Sequence, residues 1–160
     1  MRRRKKYFKR ETGVPDPLVY SCTHRARFGE VDAMAVVWHG HYASLFEEAS
    51  TELRRMSGLG YEDFFEAGVY APIVQLHIDY FQSLELDELF TVKATMLWTE
   101  AARINIEYEI TKEDGSLAAT GYTVQLFSSA ATGEPCFALP PLLEDQQIRW
   151  KQGKLGGNDE

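Results

Sequence analysis

Apolar positions along the chain follow two different periods, and the change falls near Gly68. Before it, Tyr42, Leu45, Phe46, Ala49, Leu53 and Met56 stand at offsets 0, 3, 4, 7, 11 and 14. That spacing is one stripe of an α-helix, so residues 41–57 are predicted helical, about 25 Å long at 1.5 Å per residue. Gly58 and Gly60 predict its end. A short second helix is expected over Tyr61 to Ala67. Ahead of the long helix, Val19 to Phe28 reads as a strand and residues 29–40 as a loop.

After Gly68 the period is two. Val74, Leu76, Ile78 and Tyr80 alternate with Gln75, His77 and Asp79. Phe90, Val92, Ala94, Met96 and Trp98 form the next set, and Ile104, Ile106, Tyr108 and Ile110 another. Asp114-Gly115 predicts a hairpin. Tyr122, Val124 and Leu126 belong to a last strand expected to end near Thr132-Gly133, and Pro140-Pro141 opens a C-terminal helix over residues 142–151.

One strand, one long helix and then four strands in a meander predict an α+β domain over residues 19–152. Without repeated strand–helix–strand crossovers, a doubly wound parallel sheet is unsupported. The economical arrangement is an antiparallel sheet of about five strands curled around the helix. Phe81, Leu89, Leu97 and Leu117 are out of phase with the main sets, so the second sheet face is expected to be partly apolar and to favour self-association.

Length and composition narrow the function. A chain of 160 residues, 44% hydrophobic, suits one domain with a real core. It has no apolar run of about 18 residues, so no membrane span is expected. Cys22 and Cys136 make neither a disulfide framework nor a metal-ligand pattern, which favours a reduced, cytoplasmic setting. Seven of the 17 basic residues lie within the first ten, leaving 10 basic against 24 acidic residues, a net of −14, in the rest. Residues 1–18 are expected to be a solvated basic tail, and no apolar segment follows to make a signal peptide. Residues 153–160 are expected to fray. The acidic body argues against nucleic acid as a partner.

The chemistry is concentrated in one stretch. Asp32 falls in a loop after a strand, and His39 and Gly40 stand where the long helix begins. A helix N-terminus offers unpaired N–H donors and partial positive charge to a developing oxyanion. A facing carboxylate is a base or nucleophile. Val37, Trp38, Gly40 and Tyr42 are the candidate substrate contacts. Glu47 and Glu48, early in the helix, are alternative carboxylates. His39 and His41 lack a third ligand, so no metal site is expected. Trp38, Phe46, Phe64, Phe65 and Trp98 are divided between core and pocket lining, and His24 and His77 read as structural.

The pattern Glu30-x-Asp32-x-x-x-x-Val37-x-His39-x-x-Tyr42-x-x-x-Phe46-Glu47 resembles the active-site signature of the 4-hydroxybenzoyl-CoA thioesterase family, and within it the Tol–Pal-associated acyl-CoA thioesterase branch. Asp87-Glu88-Leu89, Glu113-Asp114-Gly115, Gly121, Thr132-Gly133-Glu134-Pro135 and Leu139-Pro140-Pro141 support the likeness, which spans about residues 20–150. The resemblance implies a hotdog fold, a homodimer or homotetramer, and hydrolysis of an acyl-CoA to a carboxylic acid and coenzyme A with no further cofactor. It gives Asp32 the role of nucleophile or general base, and the His39 backbone N–H that of oxyanion donor. The chain departs from the family at Ala35, often glycine there, at His41, often asparagine, and at Ser83, often proline. Two rival readings are a hotdog acyl-thioester dehydratase and a non-catalytic acyl-CoA-binding protein.

Overall fold

The computed structural model describes residues 6–155. In chain order its elements are β1 (Leu18–Arg25), α1 (Tyr42–Met56), α2 (Tyr61–Ala67), β2 (Val69–Tyr70), β3 (Ile73–Tyr80), β4 (Leu89–Leu97), β5 (Arg103–Lys112), β6 (Leu117–Leu126), β7 (Ser128–Ser129) and α3 (Pro141–Lys151). Five strands form one antiparallel sheet in the order β1-β4-β5-β6-β3, and β2 and β7 make a separate two-stranded ribbon. The fold is a hotdog: the sheet wraps α1, which packs on β1 and β4.

The helical stripe is buried as its spacing predicts, with Tyr42, Leu45, Phe46, Ala49 and Leu53 inside and only Met56, at the end, substantially exposed. Gly58 terminates α1 with φ +80°, while Leu59 N–H donates to the Arg54 carbonyl and Gly58 N–H to that of Arg55. This is the pattern of a Schellman cap, which needs the left-handed residue that glycine supplies at little cost. At the centre of the core the Phe46 ring stacks on Tyr108 of β5, centroids 4.3 Å apart. Gly121 of β6 makes room for it, since a Cβ there would lie 2.5 Å from the Phe46 ring and 2.3 Å from the His77 carbonyl oxygen.

Three expectations about the strands need correction. The four later strands are not a simple meander: β4, β5 and β6 are, but β3 pairs with β6 at the far edge. Residues 81–88 therefore cross the end of the sheet past β6 and β5 to reach β4. β1 stops at Arg25 rather than Phe28, because the Glu30 carboxylate accepts the Arg27 N–H at 2.8 Å and draws the chain into a one-turn 3-10 helix over Phe28–Glu30. The last strand leaves the sheet at Leu126, and Ser128–Ser129 pair with β2 instead.

The basic start is anchored from Tyr7 onward rather than free over residues 1–18. Tyr7 and Phe8 N–H donate to Glu107 Oε1 at 2.8 and 2.9 Å, and Arg10 reaches Glu107 Oε2 at 2.7 Å. The Tyr7 hydroxyl donates to Asp79 Oδ2 at 2.7 Å, and its ring packs on His77 and Tyr122. A buried carboxylate on the outer sheet face requires donors, and this segment provides them. Arg2, Arg3, Arg4 and Lys5 lie outside the described residues. At the other end, Gly153 and Lys154 N–H bond back to the Trp150 and Arg149 carbonyls, and residues 156–160 lie outside the described residues. Among the described residues no helix is long and apolar enough to cross a membrane.

Candidate active site

The loop between β1 and α1 folds back on itself. Val31 bridges Val37, Asp32 N–H donates to the Val36 carbonyl at 2.9 Å, and Trp38 N–H donates to the Glu30 carbonyl at 2.9 Å. Asp32 begins the bend. Its Oδ1 accepts Met34 N–H at 2.8 Å, and its carbonyl accepts Ala35 N–H at 3.0 Å. Such an Asx turn is a common use of aspartate, and it fixes the carboxylate while Oδ2 takes no hydrogen bond from the described residues. Ala35 closes the bend with φ 60°. Ala35 thus holds a left-handed backbone that glycine adopts at less cost.

The returning arm enters the helix. His39–His41 form a 3-10 turn that runs directly into α1. The Trp38 carbonyl accepts His41 N–H at 2.9 Å, so it points along the turn. In a trans peptide the N–H lies opposite the carbonyl, so His39 N–H points outward from the helix start, where no intrahelical acceptor exists. The His39 carbonyl accepts the Tyr80 hydroxyl at 2.7 Å, and the Tyr42 and Tyr80 rings meet edge to face at 4.8 Å. Burial raises the pKa of both phenols, which keeps them protonated.

Asp32 and His39 line one cleft of about 340 Å³, together with Val36, Val37, Tyr42, Tyr80, Phe81, Gln82 and Ser83. Of the expected contacts, Val37 and Tyr42 line it, whereas Trp38 and Gly40 stand beside it. Gly40 is required by Trp38, whose ring lies over it so closely that a Cβ would sit 2.2 Å away. The wall from Tyr80 to Ser83 was not legible in the sequence. Tyr80 fits a period-two core pattern, and only the crossing of residues 81–88 brings this stretch beside Asp32. That crossing is pinned to the loop by Val37 N–H to Leu84 O at 2.7 Å and Leu86 N–H to Ala35 O at 3.0 Å.

The alternative carboxylates face elsewhere. Glu48 is directed toward His24. Glu47 Oε1 accepts the Tyr61 hydroxyl at 2.6 Å and lies 3.3 Å from Arg54 Nη2. It lines a second, largely apolar cleft of about 770 Å³ with Tyr61, Phe64, Phe65, Tyr70 and Ile73. Phe64 and Phe65 are therefore pocket residues, while Phe46 is core and Trp98 packs on Trp150. Among the described residues no three His, Cys, Asp or Glu side chains are grouped as metal ligands.

Comparison with known proteins gives this geometry a context. The family model described as thioesterase-like superfamily matches residues 26–148. An Aquifex aeolicus protein carrying a provisional esterase name is 28% identical over 102 residues, which cover 64% of this chain and 78% of that one. The structure of a DHNA-CoA thioesterase from Staphylococcus aureus superposes with a TM-score of 0.71 at 28% identity, covering 88% of this chain and 98% of the other. A second Staphylococcus aureus protein, crystallised in complex with CoA, superposes with a TM-score of 0.75 at 18% identity over 89% of each chain.

Proposed function

We propose that this chain, which belongs to the thioesterase-like superfamily and is a thioester hydrolase, cleaves acyl-CoA in the cleft shared by Asp32 and His39. The observation that carries this reading is their meeting in one cleft: a partly unengaged carboxylate and an outward-pointing N–H at a helix entrance. Asp32, or a water it deprotonates, attacks the thioester carbonyl carbon. The C=O electrons move onto oxygen, and His39 N–H stabilises that oxyanion. Collapse re-forms the carbonyl and expels the coenzyme A thiolate. If Asp32 has attacked directly, water then hydrolyses the mixed anhydride. No cofactor enters these steps, since coenzyme A is part of the substrate. The motif favours the 4-hydroxybenzoyl-CoA thioesterase family and its Tol–Pal-associated branch as the nearest grouping. The CoA complex of the Staphylococcus aureus neighbour supports a CoA ester as ligand.

A homodimer joined through β3 is part of the proposal. β3 pairs only with β6 among the described residues and carries half-exposed Ile73, Val74, Leu76 and Tyr80. Antiparallel pairing of two such edges sets the Ile73 end of one strand beside the Tyr80 end of the other. The second cleft of one protomer then adjoins the Asp32 cleft of its partner and offers its aromatic wall to the acyl group. Turnover of an acyl-CoA panel, with Asp32→Asn as the control, is the test. The wild type is expected to hydrolyse at least one member, and the amide to lose about 10²–10⁴-fold in kcat. Binding without turnover identifies a non-catalytic acyl-CoA-binding protein. Unimpaired Asp32→Asn transfers the carboxylate role to Glu47 or Glu48.

A further inference from the structure

Asp32 and His39 lie on different arms of the loop, and one buried side chain reaches the base that joins them. His24, on β1, is 9% exposed, and its ring lies 5.2 Å from that of Phe90. Its Nε2 lies 2.9 and 3.1 Å from the two oxygens of Glu30. Its Nδ1 faces Glu48 of α1, 3.9 Å from Oε2. Glu30 is the closing residue of the loop. Its side chain accepts Arg27 N–H at 2.8 Å, and its carbonyl accepts Trp38 N–H at 2.9 Å, one residue before His39. Asp32 stands two residues after it.

We infer that His24 is a positioning residue: it ties the Glu30 hinge of the Asp32 loop to β1, and so sets the carboxylate relative to the His39 N–H. His24 does not line the cleft and touches no reacting atom. The ring is carried by a strand of the sheet rather than by the loop. An Nε2–H donor, in the neutral ring or the imidazolium, satisfies Glu30. Only the imidazolium also turns an N–H toward Glu48. Partial burial works against the Glu30 charge, but hydrogen bonds from His24 and the Arg27 backbone, and the charges of both side chains, hold its carboxyl below the usual range. Without the imidazole this carboxylate keeps one local backbone donor. The base of the loop then loses its tie to the sheet, although the residues of the cleft are unchanged.

The inference rests on the activity proposed above, and its test is chosen to be separable from it. His24→Leu fills the space without a donor, whereas His24→Gln returns an N–H near the Nε2 position. In His24→Leu, kcat is expected to fall about tenfold with KM within about twofold, because a small misplacement of reacting groups costs rate rather than affinity. His24→Gln is expected to recover most of that loss. Amide exchange over residues 29–40 should accelerate in His24→Leu, while exchange in β5 and β6 stays as in the wild type. Wild-type kcat in His24→Leu, or equal losses in the leucine and glutamine variants, overturns the inference. So does unchanged exchange over residues 29–40. Should His24→Leu fail to fold, Glu30→Gln tests the same tie from the other side, with the same kcat-selective loss expected and an unaltered kcat overturning it. If the wild type turns over no acyl-CoA, the proposed activity fails, and the exchange measurement still decides whether His24 holds the loop.

Discussion

In the proposed hydrolysis His39 would contribute either a backbone N–H or an imidazole, and the two make different demands on substitution. The ring packs at a tilt beside Trp38, with centroids 5.1 Å apart, while the N–H emerges at the helix start. If the N–H is the working group, His39→Ala keeps a substantial part of kcat, since every residue except proline has that donor. His39→Pro removes it and should cost at least the roughly 10²–10³-fold typical of one oxyanion donor. Circular dichroism and oligomer size must accompany the proline variant. An alanine variant that is folded but as inactive as Asp32→Asn assigns the role to the imidazole. Ala35 allows a second test at this scale. A left-handed backbone costs an L-residue roughly 1–2 kcal/mol, and the greater unfolded freedom of glycine returns roughly 0.4–1. Ala35→Gly is therefore expected to be neutral or stabilising by up to about 1.6 kcal/mol in thermal unfolding. Clear destabilisation would mean that the bend does not have the backbone described.

At the scale of elements, the contact between α1 and the sheet depends on an absent side chain. Phe46 and Tyr108 stack because Gly121 leaves the neighbouring strand bare. Gly121→Ala places a Cβ against the Phe46 ring and the His77 carbonyl, and overpacking of this kind costs about 1–3 kcal/mol. A fall of roughly 2–4 °C in Tm per kcal/mol is expected for a domain of this size. An unshifted melting curve would contradict the close approach of Phe46 and the His77 carbonyl to Gly121. The spacing of apolar positions predicts α1 well because a 3.6-residue period is a property of the chain itself. The end of β1 was not readable in the same way. The residues after Arg25 have acceptable strand composition, and a side chain three residues away, Glu30 accepting Arg27 N–H, decides the turn.

At the scale of the whole molecule, the proposed assembly rests on the exposed edge of β3. Among the described residues β3 pairs with a strand on one side only and presents half-exposed apolar side chains, a combination that soluble proteins usually cover or charge. Leu76→Lys places a charge on this edge at a position already 47% exposed, so the fold is expected to tolerate it. Light scattering should show a dimer or larger species for the wild type and a shift toward monomer for the variant. Acyl-CoA hydrolysis should fall in parallel, since the second cleft would no longer adjoin that of the partner. A variant that stays assembled and fully active contradicts assembly through β3, and a fully active wild-type monomer contradicts the dimer altogether.

What the sequence determined by itself was local. Helical spacing, alternation, glycine and proline breaks, and the Asp32-to-Tyr42 stretch all act over a few residues, so they set the elements and bring Asp32 and His39 within one loop. Strand order depends on contacts between segments far apart in the chain. Nothing in the alternation of Val74 to Tyr80 specifies β6 rather than β4 as the neighbour of β3. Only the tertiary structure decides that pairing. With it come the crossing at residues 81–88, the Tyr80-to-Ser83 wall of the cleft, and the clamp of Tyr7 and Arg10 on the outer sheet face. The same holds for His24, an unremarkable strand histidine in the sequence, which gains its part only when β1, the loop and α1 converge on its two ring nitrogens.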